Sequence, residues 1–132
     1  TALQLINFWQ DLGRDIERGR WYPSVAQMAR HGVTDAALQC DQPHAAASRM
    51  VQDYAAQARA LMLQGAPLAY QLAGRAGWEL RLVVQGGLRI LDKLAAIDHA
   101  SWRQRPRLGK RDVPLLLWRA FGPGQARMAE PT

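Results

Sequence analysis

Cysteine is nearly absent. Cys40 stands alone among 132 residues, which excludes an internal disulfide and any cysteine pair that could grip a metal, and makes a reducing, cytoplasmic setting the simplest expectation. Long apolar runs are missing as well, for no stretch approaches the roughly 18–20 residues a membrane span requires. No segment alternates apolar and polar residues like a strand, and no glycine-rich dinucleotide fingerprint is visible, so nothing points to an NADPH-dependent step. Acidic residues are the scarcer charge, 11 against 17 Lys and Arg. The imbalance is local: residues 1–98 carry 10 basic and 9 acidic side chains, residues 99–132 carry 7 and 2. A basic helical module that binds nucleic acid is the alternative from another functional class, but its basic residues would follow one binding face rather than gather in a tail. No nucleic-acid partner is expected.

What is present is helix. Ala, Leu, Arg and Gln dominate, and the apolar residues recur at helical spacing, which predicts an all-α protein. Leu5, Phe8, Trp9, Leu12 and Ile16 form one stripe of a helix over about residues 2–21, stopped ahead of Pro23. Ser24 caps a short helix through His31, ended by Gly32. Residues 33–43 read as a polar connection. A long helix over 44–64 follows, with Val51, Tyr54, Ala58 and Leu61 in register and Gly65 and Pro67 as end signals. A third covers 69–98 through Leu80, Val83, Val84, Gly87, Leu91 and Leu94, and Asp112 with Pro114 opens a last helix to Phe121. Gly86-Gly87 inside the third helix costs about 1 kcal/mol per residue relative to alanine, which close packing against a helix or ligand, or a tolerated kink, would explain. Residues 1–121 therefore read as one partial domain and 122–132 as a frayed tail. Helical periodicity starts at once from Thr1-Ala2-Leu3, so the start is expected to be a cut.

The chemistry sits on the first helix. At about 100° per residue Gln4, Asn7, Asp11, Asp15, Arg18 and Tyr22 fall within roughly 80° of one another, flanked by Arg14 and beside the apolar stripe. Asn7, Asp11 and Asp15 are one turn apart, about 6 Å per step, so their oxygens can share hard cations. Mg²⁺ suits such a row because it takes one or two carboxylates, keeps several waters and completes its octahedron with phosphate oxygens. Carboxylates alone would repel a diphosphate; with Mg²⁺ between and Arg14 or Arg18 near, the local charge inverts and a leaving group is stabilised. The other reading is an ordinary solvated helix surface on which Asp11 and Asp15 pair with Arg14 and Arg18.

Asn7-x3-Asp11-x3-Asp15 followed by Arg18-Gly19-Arg20-x-Tyr22 resembles the second aspartate-rich motif of the squalene and phytoene synthases, head-to-head prenyl synthases of the all-α isoprenoid synthase fold. Gly32-Val33, Gly86-Gly87-Leu88-Arg89-Ile90-Leu91-Asp92-Lys93-Leu94 and Arg103-x-Arg105-Pro106-x-Leu108 follow in family order, carrying the likeness to about residue 117. Phytoene and dehydrosqualene synthases usually read N-I-L-R-D where this chain has Asn7-Phe8-Trp9-Gln10-Asp11. That wording, with Val84 to Leu91, is more similar to the hopanoid-pathway squalene and hydroxysqualene synthases. The resemblance implies conversion of presqualene diphosphate to hydroxysqualene or squalene, with a farnesyl- or geranylgeranyl-joining phytoene-type reaction, or an inactive fragment, as the alternatives. It implies Asp11 and Asp15 as catalytic residues, Asn7, Asp11 and Asp15 as Mg²⁺–diphosphate ligands, and Gln4, Arg14, Arg18 and Tyr22 as substrate-binding neighbours.

The chain also departs from the family pattern. The family pairs two aspartate-rich helices, and no second D-x-x-x-D occurs here; the first would lie upstream of Thr1, in an amino-terminal half that is the expected partner of this one. Alone, the fragment is expected to be inactive and to aggregate through faces such as Leu5, Phe8 and Leu12. Relatives usually read R-G-R-x-Y-L-P where Arg20-Trp21-Tyr22-Pro23-Ser24 stands, one residue shorter, and His99-Ala100-Ser101 replaces an aromatic followed by Asp-Val. His31, His44 and His99 share no ligand spacing and read as surface or capping residues. Trp78, Trp102 and Trp118 read as packing residues. For the basic segment from Arg103 to Arg111, peripheral contact with an anionic inner-membrane surface or phosphate and a solvated turn are both open.

Overall fold

Two long apolar stripes meet in a helical hairpin that organises everything else. The computed structural model describes residues 1–19, 23–40 and 42–122. Helix α5 (Ala45–Gln71), which buries Val51, Ala55, Ala58, Met62, Ala66 and Ala69, packs along α6 (Gly74–Ala96), which buries Val84, Leu88, Leu91 and Leu94. Helix α1 (Ala2–Gln10) packs on both and buries Ile6 and Trp9; α2 (Leu12–Glu17) continues it, buries Leu12 and touches α4 (Asp35–Gln39). Helix α3 (Val25–His31) rests on α5, and a 3₁₀ turn (Lys110–Asp112) leads into α7 (Val113–Phe121), which lies on α6. Among the described residues there is no strand, so the class is all-α as expected. None of the described helices is long and apolar enough to cross a membrane.

Several boundaries differ from the sequence expectation. The first helix is divided at Asp11 (φ −95°, ψ 5°), while Arg20 to Tyr22, its expected end, lie outside the described residues, as do residues 123–132 of the expected tail. Residues 33–43 are more than a connection: Thr34 caps α4 by accepting a hydrogen bond from Ala37 N–H at 3.3 Å. Helix α5 runs through Gly65 and Pro67 instead of ending at 64. A proline there costs about 3 kcal/mol, which burial of Ala66, Ala69 and Tyr70 offsets. Leu61 is exposed and Met62 takes the core position; likewise Leu80 and Val83 of α6 face outward. Helix α6 starts at Gly74, not 69, and ends before Asp98 and His99, both at positive φ. The caps at Ser24 and Gly32 and the last helix form where expected.

The α5–α6 turn is built by Gly77 and Arg81. A Cβ on Gly77 would stand 2.1 Å from the Leu72 carbonyl oxygen, so only glycine lets the turn close. Arg81 donates to the carbonyls of Ala69 (3.1 Å), Tyr70 (3.3 Å) and Leu72 (3.2 Å), groups that the helix end leaves without amide partners. His44 caps α5 through Nδ1, and His31 joins α3 to α5 through Asp53 at 2.9 Å.

The polar residues of the Gly86–Leu94 segment lock the carboxy-terminal elements. Asp92 accepts from Arg59 of α5 (2.7 Å) and Arg119 of α7 (2.9 Å), tying three helices at one carboxylate. Burial pushes its carboxyl up, but those two hydrogen bonds outweigh it and hold it below the usual carboxylate range. Asp112, buried at the start of α7, accepts from Lys93 Nζ (2.5 Å), Gly109 N–H (2.7 Å) and Arg89 Nε (2.8 Å), which hold its carboxyl far below the ordinary value. A depressed folded-state value contributes stability that is fully present above the unfolded carboxylate range near pH ~4 and is lost as pH falls through the folded value. Thermal melts should therefore show a midpoint that drops below about pH 4, and Asp112→Asn should lower the midpoint at pH 7 while flattening that acid limb.

Candidate functional site

The helical row survives the break that divides its helix. Asp11 N–H donates to the Asn7 carbonyl at 2.9 Å and Asp15 N–H to the Asp11 carbonyl at 3.0 Å, so Asn7, Asp11 and Asp15 remain stacked one turn apart. The break has a visible cause: Gly13 N–H is directed at the Ser101 carbonyl (3.3 Å), where the segment after α6 crosses α2.

That segment, residues 101–109, straps across the end of α1 and the middle of α6. Gln10, nearly buried, donates to the Pro106 carbonyl at 2.7 Å, and Lys93 Nζ donates to the Arg107 carbonyl at 2.7 Å. Between strap, α1 and α6 lies a cavity of about 540 Å³. Its walls are apolar, from Leu3 and Ile6 on α1, Leu82, Val83 and Ile90 on α6, and Leu108 on the strap. Asn7, Gln10, Arg105 and Arg107 supply its polar edge.

The two glycines of α6 have different jobs. A Cβ on Gly87 would lie 2.8 Å from Met62 Cε and 3.2 Å from Ile6 Cδ1, so its absence brings α6 close to α1 and α5. A Cβ on Gly86 would meet only Leu108 Cδ1, at 3.5 Å, and would narrow the cavity. Of the two explanations for the pair, close packing and a tolerated kink, close packing holds at Gly87, while Gly86 borders the groove.

Arg105 forms an ion pair with Asp11 across 94 positions of sequence. The solvated-surface reading of the row required local pairs instead, and among the described residues Arg14 and Arg18 make none. Asp15 is only 8% exposed and has no side-chain hydrogen bond or ion pair among the described residues. Its carboxylate oxygens keep contact with solvent.

The candidate residues thus separate. Asn7 lines the cavity, and Asp11 joins its edge through Arg105. Gln4, Arg14 and Arg18 are exposed and do not line it, Asp15 lies one turn beyond Asp11, and Tyr22 lies outside the described residues. Gln10, Arg105, Arg107 and Leu108 at the cavity are additions that the helix pattern did not reveal. The Arg103-x-Arg105-Pro106-x-Leu108 string was the available signal, though it gives no partner 94 residues away.

Among the described residues no three His, Cys, Asp or Glu side chains gather as a ligand set. Two carboxylates and an amide on one helical face, one carboxylate without an ion pair among the described residues, nonetheless suit Mg²⁺, which takes one or two carboxylates and fills its remaining positions with water and phosphate oxygens.

The squalene/phytoene synthase family matches residues 1–118. The chain belongs to that family. Its all-α architecture is accordingly that of the isoprenoid synthase fold, in agreement with the sequence expectation. Phytoene synthase of Thermus thermophilus is 32% identical over 121 residues, which cover 91% of this chain and 41% of that protein. The chain thus spans well under half the length of this curated relative. No solved structure gives a significant match. Membership in the squalene/phytoene synthase family does not by itself select the hopanoid branch.

Proposed function

We propose that this chain is the carboxy-terminal part of a head-to-head prenyl synthase that acts on prenyl diphosphates. The observation that carries the reading is the junction of the Asn7–Asp11–Asp15 row with an apolar groove, a polar end for a diphosphate and an apolar bed for an isoprenoid chain. Asn7, Asp11 and Asp15 would hold Mg²⁺, which supplies charge neutralisation to a departing diphosphate. Arg14 and Arg18 add positive charge beside the row, Gln4 extends it, Tyr22 is a further candidate for substrate binding, and the groove excludes water from the chain. Asp11 and Asp15 act as ligands rather than as proton donors. We place the protein in the cytoplasm, with the basic strap available to an anionic membrane surface.

The wording of α1 and of Val84 to Leu91 favours presqualene diphosphate as substrate, with hydroxysqualene as product when water captures the cation left by diphosphate, or squalene when a hydride donor such as NADPH is supplied. The relative's name favours a second reading, the joining of two farnesyl or geranylgeranyl diphosphates. Full-length protein incubated with each of the three diphosphates and Mg²⁺, followed by mass analysis of the isoprenoid product, separates the two. Release of diphosphate from presqualene diphosphate is expected; a folded, full-length protein inert toward all three would remove the proposal.

We also propose that an amino-terminal half supplies the second aspartate-rich helix and covers apolar surface left open here. The expectation that Leu12 belongs to that surface is corrected: it is 1% exposed, buried in the cluster that includes Trp9. Leu5 and Phe8 are half-buried. The open residues lie elsewhere, with Leu68, Trp78 and Trp118 each more than half exposed, so two of the three expected packing tryptophans face outward. Light scattering on the isolated chain should show self-association that co-expression with the amino-terminal half suppresses.

A further inference from the structure

We propose that Arg105 is an exchangeable counter-ion for Asp11, which makes uptake of a divalent cation and of a diphosphate by this protein mutually dependent. The proposal rests on the cation site described above and adds to it a control exerted from the strap.

Three observations lead there. The Asp11–Arg105 pair lies at the edge of the groove, with side chains 31% and 27% exposed. Only Nε of the guanidinium is engaged with Asp11 Oδ1, while an arginine carries five N–H donors, so the remainder are available to a second acceptor. The strap is held without Arg105: Gln10 grips the Pro106 carbonyl, Lys93 the Arg107 carbonyl, and Gly13 the Ser101 carbonyl. The guanidinium can therefore change partner while the strap stays in place.

Charge then couples the two ligands. A divalent cation arriving alone at Asp11 meets the positive charge of Arg105 already on Oδ1, with that of Arg107 at the same cavity. A diphosphate arriving alone meets the carboxylates of Asp11 and Asp15. Together they satisfy every group, because the carboxylate turns to the cation and the guanidinium to phosphate oxygens, for which its planar fork is suited. Such coupling is reciprocal in binding free energy.

The test uses full-length protein, Mn²⁺ as a paramagnetic probe and inorganic diphosphate. Mn²⁺ bound to wild type, read by electron paramagnetic resonance, should tighten at least ~5-fold when diphosphate is added. In Arg105→Gln, Mn²⁺ alone should bind ~5-fold or more tighter than to wild type, and the gain from diphosphate should shrink. An arginine that serves only as a diphosphate ligand leaves affinity for Mn²⁺ alone unchanged, and that outcome overturns the counter-ion role while the cation site stands. Absence of Mn²⁺ binding in wild type, with or without diphosphate, overturns the site and the counter-ion role together. Should Arg105→Gln fail to fold, the Arg105 Nε–H resonance of wild type decides: it should move with Mg²⁺ plus diphosphate and stay in place with subsaturating Mg²⁺ alone. Movement with Mg²⁺ alone, or none with both, overturns the proposal.

Discussion

Alanine at Asp11 in the full-length enzyme is expected to reduce kcat/KM by about 10²–10³-fold, and alanine at Asp15 by a similar factor. The size follows from the role: a ligand to a charge-neutralising cation is worth several kcal/mol at the transition state, and each 1.4 kcal/mol is tenfold in rate. The two variants should differ in a way that geometry dictates. Asp15 carries no side-chain hydrogen bond or ion pair among the described residues and its carboxylate oxygens keep contact with solvent, so its removal breaks no pairing and should leave the melting midpoint close to unchanged. Asp11 is paired with Arg105, so its removal strands a half-buried guanidinium beside the groove and should lower the midpoint as well as the rate. Steady-state assays beside thermal melts of both variants check this. Full activity in either one would mean the row does not hold the reacting diphosphate.

The residues that sequence reasoning placed well share one property: their roles are local. Asn7, Asp11 and Asp15 stand in a row because one helix repeats every 3.6 residues, and Ser24 and Gly32 bound α3 because caps act within one turn. The failures are tertiary. Pro67 reads as a stop until Ala66, Ala69 and Tyr70 are seen buried beneath it. Leu61 and Met62 are equally apolar in composition, and only the direction of α6 decides which one faces the core. Arg105 looked like one residue of a basic turn, and its meaning comes from Asp11, 94 positions away. Much of the Gly86–Leu94 segment, which helped to identify the family, has a structural explanation. Arg89, Asp92 and Lys93 hold α7 and the strap, so these side chains help to position the groove.

Gly13→Ala should destabilise the protein by about 1–3 kcal/mol, the reverse of the gain of about 1 kcal/mol that alanine brings to a helix in isolation. Its Cβ would stand 2.6 Å from the Trp102 carbonyl oxygen and 3.0 Å from that of Ser101. Both obstacles are backbone, which cannot turn aside as a flexible side chain can. The strap must lift from α2, and with it go buried Trp102, the Pro106 carbonyl held by Gln10, and the guanidinium on Asp11. Gly65→Ala is the matched control, for a Cβ at that helical position meets nothing within 4 Å; it should stabilise the protein by up to about 1 kcal/mol. Urea unfolding of both variants therefore gives shifts of opposite sign for the same chemical change. A stabilising Gly13→Ala would mean that the strap does not lie against α2, and the groove would lose the wall on which Arg105 is carried.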